Sequence, residues 1–182
     1  GPPPWAAPRA ACPARLAACA GGGAGEVAAA PFDAVIGDRA GRVRVARIEP
    51  AKTLLRGLWA YRELLAARPQ WRGRVVLLAM CYPSRETLAD YQLLFHDVVA
   101  TADALNREFG TDDWTPVVLD TDDGFPRSVA ALRRADVLLV NPIRDGLNLS
   151  PYEGTAINYP DAPPGLPPAA GASGEPGPRG AL

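Results

Sequence analysis

Arg74-Val75-Val76-Leu77-Leu78-Ala79-Met80-Cys81 is the stretch that decides the fold. It is an almost continuous apolar run rich in Val and Leu, as expected of a strand covered on both faces. Outward from it the pattern alternates. Before it, residues 52–67 place Leu54, Leu55, Leu58, Trp59, Leu64 and Leu65 at helical spacing, which predicts one apolar stripe, ended by Pro69 and Gly73. Ahead of that helix, Val43-Arg44-Val45-Ala46-Arg47-Ile48 predicts a strand. On the other side, residues 85–109 predict a long helix, with Leu88, Tyr91, Leu94, Phe95, Val98 and Leu105 at threes and fours and Gly110 as its stop. Residues 116–120 predict a third strand, 126–134 a short helix with Pro126 near its first turn, and 136–141 a fourth strand. Strand-helix-strand repeated three times implies an α/β domain: a Rossmann-like parallel sheet of about four strands with right-handed crossovers and flanking helices.

Composition bounds the rest. A chain of 182 residues suffices for one domain and is short for two. Residues 1–31 and 159–182 are Ala-, Gly- and Pro-rich with little apolar periodicity, so both ends are expected to be disordered and the folded domain to span 32–158. The formal charge of −1 gives no basic field for nucleic acid and no polybasic tail for lipid. The longest uninterrupted apolar run, Val75–Tyr82, is far short of the roughly 20 residues a membrane span needs. The N-terminus is broken by Pro8, Arg9, Pro13 and Arg15 and lacks a signal-like apolar stretch. Cys12, Cys19 and Cys81 lack metal-ligand pairing and read as free thiols of a reducing cytoplasm, and the single histidine, His96, cannot by itself build a zinc site. No metal and no cofactor is expected.

In parallel α/β sheets ligands bind at the carboxyl ends of the strands. Arg47 and Lys52, the only lysine of the chain, follow the first strand; Tyr82-Pro83-Ser84-Arg85 follows the second; 120–124 follows the third; Asn141 to Glu153 follows the fourth. Every polar cluster therefore falls on one rim. Two fixed cations at one strand end, with Asp145 and Glu153 after another, suit a ligand with a central diphosphate and hydroxyls at both ends, such as a nucleotide-sugar. Taken singly, these residues have plainer readings: Lys52 and Arg85 as surface residues, Asp145-Gly146 as a turn, Glu153 as a solvated helix position. The 120–124 acidic cluster reads as a solvated loop, Trp59 and Trp114 as packing, and His96 as partly exposed with no catalytic case.

The order of the pieces adds a resemblance. The motifs are Arg47-Ile48-Glu49-Pro50-Ala51-Lys52, Arg62-Glu63-Leu64-Leu65, Pro69-Gln70-Trp71-Arg72-Gly73-Arg74 and Pro83-Ser84-Arg85. They continue with Asn106-Arg107-Glu108-Phe109-Gly110-Thr111-Asp112-Asp113-Trp114-Thr115-Pro116, Leu132-Arg133-Arg134-Ala135-Asp136-Val137 and Pro142-Ile143-Arg144-Asp145-Gly146-Leu147-Asn148-Leu149. From Val43 to Glu153 the chain resembles the C-terminal, donor-binding half of retaining GT-B glycosyltransferases of the trehalose-6-phosphate synthase type. That resemblance implies transfer of glucose, with retention, from a nucleoside-diphosphate glucose donor to a sugar-phosphate acceptor, glucose 6-phosphate.

On it, Arg47 and Lys52 match the pair that grips the donor diphosphate, and Asp145 matches the residue that hydrogen-bonds the transferred sugar. Leu147, Asn148 and Leu149 would present backbone N–H groups to the donor, Glu153 would take the ribose hydroxyls, and Arg85 would reach toward the acceptor phosphate. Two departures stand out: Thr53 where the family has glycine, and Ser150-Pro151-Tyr152 where it has Val-Ala-Lys, so that Pro151 must fall in a first helical turn. The expected partner is the missing N-terminal GT-B domain, without which the isolated chain is expected not to turn over. A non-catalytic relic, and a pseudo-glycosyltransferase joining cyclitols as in validamycin-type pathways, stay open at this level.

Overall fold

The computed structural model describes residues 23–85, 87–122, 124–143 and 150–158. Its centre is β2 (Val75–Tyr82), whose first seven residues are all buried. Taking each such Val, Leu or Met side chain out of water contributes about 1.5–3 kcal/mol. On one side β2 pairs with β3 (Val117–Asp120), on the other with β1 (Ala40–Arg47), and β1 pairs in turn with β4 (Val137–Leu138). All three pairings are parallel, in the order β3-β2-β1-β4. The Rossmann-like sheet expected from the alternating pattern is thus present.

The helices divide between the two faces. α2 (Leu54–Ala67) buries Leu54, Gly57, Leu58, Tyr61 and Leu65, and α3 (Ala89–Phe109) buries Val98, Ala102 and Leu105 beside it. The crossover from β3 runs back through α4 (Phe125–Arg133) to β4, so α4 covers the opposite face, packed between α1 (Gly23–Ile36) and α5 (Ser150–Asn158). Trp114 is 3% exposed and donates its indole N–H to the Val75 carbonyl at 2.7 Å, which explains a buried tryptophan at a strand edge.

Several boundaries differ from the sequence expectation. α1 starts at Gly23, inside the 1–31 stretch expected to be unstructured. Phe32 and Ile36 anchor it in the core, while Pro31 within the helix and its alanine-rich composition hide the periodicity. The second helix begins at Leu54 rather than Lys52, because a short 3-10 turn, Pro50–Lys52, comes first and Thr53 adopts φ 51°. The long helix begins at Ala89 rather than Arg85, whose φ is 48°. Trp59, expected to pack, is 54% exposed. The fourth strand pairs over only two residues, although Asp136 N–H to Gly41 O and Leu139 N–H to Val43 O, both 2.8 Å, extend the contact. Pro151 lies in the first turn of α5, where its missing N–H costs no helical hydrogen bond.

Candidate functional site

In the order β3-β2-β1-β4 the connections turn in opposite directions at β1 and β4, which makes the carboxyl ends of these two strands the crevice where such sheets take ligands. Three sets of bonds close the rim there. The Ile143 N–H donates to Ala51 O at 3.1 Å, and the Thr53 hydroxyl donates to Asn141 O, tying the loop after β4 to the loop after β1. The Ser150 hydroxyl donates to Val45 O at 3.3 Å, tying the start of α5 to β1. The Ser84 hydroxyl donates to Glu49 Oε1 at 3.3 Å, and the Ile48 N–H donates to Tyr82 O at 2.7 Å, tying in the loop after β2.

Arg47 closes β1 with its side chain 64% exposed, and its Nη1 lies 3.0 Å from Glu49 Oε1. Glu49 thereby orients the guanidinium and also competes for it with any anion that arrives. Lys52 ends the 3-10 turn and is half-buried. Arg85 stands after β2 with its guanidinium 5.8 Å from the Tyr91 ring centre. Glu153 lies in the first turn of α5, half-buried, and burial raises its carboxyl above the usual range. Asp145, Leu147, Asn148 and Leu149 lie outside the described residues. Their described neighbours on either side, Ile143 and Ser150, are the two residues bonded to Ala51 and to β1.

Some residues at this rim went unread in the sequence. Arg44 lies on β1 three residues before Arg47, so it projects to the opposite face, and it is only 5% exposed. Its Nη1 donates to Asn141 Oδ1 and its Nη2 to the Lys52 carbonyl. Burial lowers its guanidinium from the ordinary range, and burial pushes the nearby Cys81 thiol up to about 12. Arg44 is one of three arginines in β1, so nothing local marks it; the available signal was a glycine, Gly57, in the helix that covers it. Asp120, read as part of a solvated loop, is buried instead: it pairs with Arg127 and accepts the Asp122 N–H at 3.0 Å. Beside β2 there is also a cleft of about 510 Å³ lined by Ile48, Pro83, Ser84, Tyr91, Gln92, Phe95 and His96, which gives exposed His96 a setting that the sequence did not suggest. Among the described residues, no group of three His, Cys, Asp or Glu side chains could hold a metal ion, and no helix is long and apolar enough to cross a membrane.

The family model described as Glycosyltransferase family 20 matches residues 38–163. The chain is 35% identical over 112 residues to an alpha,alpha-trehalose-phosphate synthase [UDP-forming] of Candida albicans, covering 61% of this chain and 23% of that protein. It is 40% identical over 97 residues to alpha,alpha-trehalose-phosphate synthase [UDP-forming] 5 of Arabidopsis thaliana, covering 53% and 11%. Among solved structures, an alpha,alpha-trehalose-phosphate synthase from Burkholderia vietnamiensis superposes with a TM-score of 0.75 at 27% identity, over 84% of this chain and 34% of that one. A trehalose-6-phosphate protein from E. coli, bound with UDP-2-fluoro glucose, gives 0.73 at 28% identity, over 84% and 34%. The chain therefore spans about a third of the length of the two solved structures and less than a quarter of the other two relatives.

Proposed function

Because the chain belongs to glycosyltransferase family 20, we propose that it is the donor-binding unit of a retaining glucosyltransferase of the trehalose-phosphate-synthase kind, acting on a nucleoside-diphosphate glucose. The observation that carries this reading is the closed rim at the β1/β4 crevice. Arg47 and Lys52 follow one strand, the segment leading to Asp145 and Glu153 follows the other, and hydrogen bonds join the two.

In the proposed reaction the anomeric C–O bond to the donor phosphate breaks, and a hydroxyl of the acceptor sugar phosphate forms its bond on the same face. The electron pair of the broken bond goes to the departing diphosphate, and Arg47 and Lys52 neutralise the charge that builds there. Arg47 offers a planar fork and Lys52 a point charge, a division suited to several phosphate oxygens. The departing phosphate takes the acceptor proton, so no side-chain base is required of this chain. Asp145 would hold the sugar, the backbone at Leu147, Asn148 and Leu149 the donor oxygens, Glu153 the ribose and Arg85 the acceptor phosphate.

A second reading concerns how much of the reaction this chain performs, and the coverage of its relatives favours it. With about a third or less of their length matched, the acceptor pocket is assigned to a separate N-terminal GT-B domain. The isolated chain then binds donor and transfers nothing, since catalysis needs both substrates held in one closed geometry. Buried Cys81, a free thiol, agrees with a cytoplasmic setting. Calorimetric titration with uridine and guanosine diphosphates tests the proposal. Arg47→Ala and Lys52→Ala should each weaken binding by about 1.5–3 kcal/mol, the worth of a hydrogen bond to a charged group. Equal binding by wild type and both variants removes the assigned role.

A further inference from the structure

We infer that Arg44 is a positioning residue, a buried latch that holds the Ala51-Lys52-Thr53 backbone in register with Asn141 across the β1/β4 crevice. The purpose of the latch rests on the reading of that crevice as a diphosphate site; its existence rests on geometry alone.

An arginine inside a parallel strand is costly, because its guanidinium leaves water. Arg44 is 5% exposed, its Nε is buried without a hydrogen-bond partner, and among the described residues no carboxylate pairs with it. The fold nevertheless makes room for it. A Cβ built on Gly57 would lie 2.5 Å from Arg44 Nη1, so the glycine interrupting α2 is what lets the guanidinium lie beneath that helix. Glycine is a poor helix former, and here the loss is matched to the space the cation occupies.

The two guanidinium nitrogens that do have partners reach different loops. Nη2 holds the carbonyl of Lys52, and Nη1 holds the side-chain oxygen of Asn141. The neighbouring groups repeat the connection: the Thr53 hydroxyl donates to the Asn141 carbonyl, and the Ile143 N–H to Ala51 O at 3.1 Å. Thr53 sits at φ 51°, a conformation unfavourable for a β-branched residue, so its surroundings hold it there. Lys52 carries its ammonium on the residue whose carbonyl Arg44 grips, which fixes the base of that side chain before any anion arrives. Arg44 touches no ligand in this scheme; it acts through Lys52.

Amide hydrogen exchange and uridine diphosphate titration, on the same variants, test the latch. In Arg44→Met the Ile143 amide should exchange at least tenfold faster, while the Leu77 amide, bonded to Pro116 O at 2.8 Å across the β2–β3 pair, stays unchanged. Arg44→Lys, able to reach one acceptor, should restore part of that protection. Arg44→Met should weaken uridine diphosphate binding tenfold or more, and should add little in the Lys52→Ala background. Should Arg44→Met not fold, Asn141→Leu, which keeps the arginine and removes its acceptor, should show the same local loosening. Wild-type exchange at Ile143 in a folded Arg44→Met or Asn141→Leu chain overturns the latch. So does an undiminished Arg44→Met effect on binding once Lys52 is gone. A wild-type chain that binds no uridine diphosphate sinks the reading of the crevice instead, and the exchange result then decides the latch alone.

Discussion

The loops after β1 and β2 leave adjacent strands and face the same rim, yet they are held in different ways. The β1 loop is gripped from beneath by Arg44, from the side by Asn141 and through its own backbone by Ile143. The β2 loop has the Ser84–Glu49 hydrogen bond, the Arg85 guanidinium over Tyr91, and an open cleft beside it. The first is built in advance, as a site for a charged diphosphate should be, since oriented groups stabilise charge without reorganising. The second borders an open cleft. That difference is the one the proposed function calls for, in which this chain forms the donor site and the acceptor groups are assigned elsewhere.

The comparison can be broken at its foundation first. Leu78 is 1% exposed at the centre of β2. Leu78→Ala should cost about 2–5 kcal/mol in urea unfolding and loosen both loops alike; a lesion that freed only one loop would mean that they do not share a core. Next comes ligand binding. Lys52→Ala should lose about 1.5–3 kcal/mol of nucleoside diphosphate affinity, the worth of a charge-assisted bond, whereas Arg85→Ala, on the open loop, should leave it unchanged in the isolated chain. Equal losses in a titration of the two variants would erase the distinction. Gly57→Ala should destabilise by about 1–3 kcal/mol through crowding of the guanidinium, and the penalty should vanish when Arg44 is also Met, leaving the gain in helix propensity, about 1 kcal/mol.

The smallest effect expected is that of Glu153. Its folded-state carboxyl is raised by burial, so folding favours the protonated form. The contribution is therefore fully present below the ordinary carboxylate range and lost as pH rises through the raised folded value, leaving neutral pH as the less stable side. Glu153→Gln should raise the thermal midpoint slightly at pH 7, leave it unchanged near pH 4, and weaken donor binding. A variant equally stabilised at both pH values would remove burial of the charge as the cause.

How much of this was legible in the sequence follows from what each residue depends on. The burial of β2 came from Val75–Cys81 itself, and the alternation around it was enough for a parallel sheet. Arg47, Lys52, Arg85 and Glu153 could be assigned to the rim, because strand ends are set by local pattern. What stayed hidden depends on packing between distant segments. Arg44 looks like an ordinary strand arginine until Gly57 and Asn141 are placed around it, and Asp120 looks solvated until Arg127 folds over it. The start of α1 was masked by Pro31 and the surrounding alanines, since among its described side chains Phe32 and Ile36 are the large ones buried in the core. The positive φ values at Thr53 and Arg85 shortened two helices that periodicity alone extends to Lys52 and Arg85.

Chemical-shift mapping of the isotope-labelled chain with uridine diphosphate tests the central claim most directly. The account predicts perturbations concentrated at 47–53 and 141–153, with the amides of Leu88 to His96 little changed. Perturbations confined to the cleft beside α3, with Lys52 and Thr53 unmoved at saturating ligand, would contradict it.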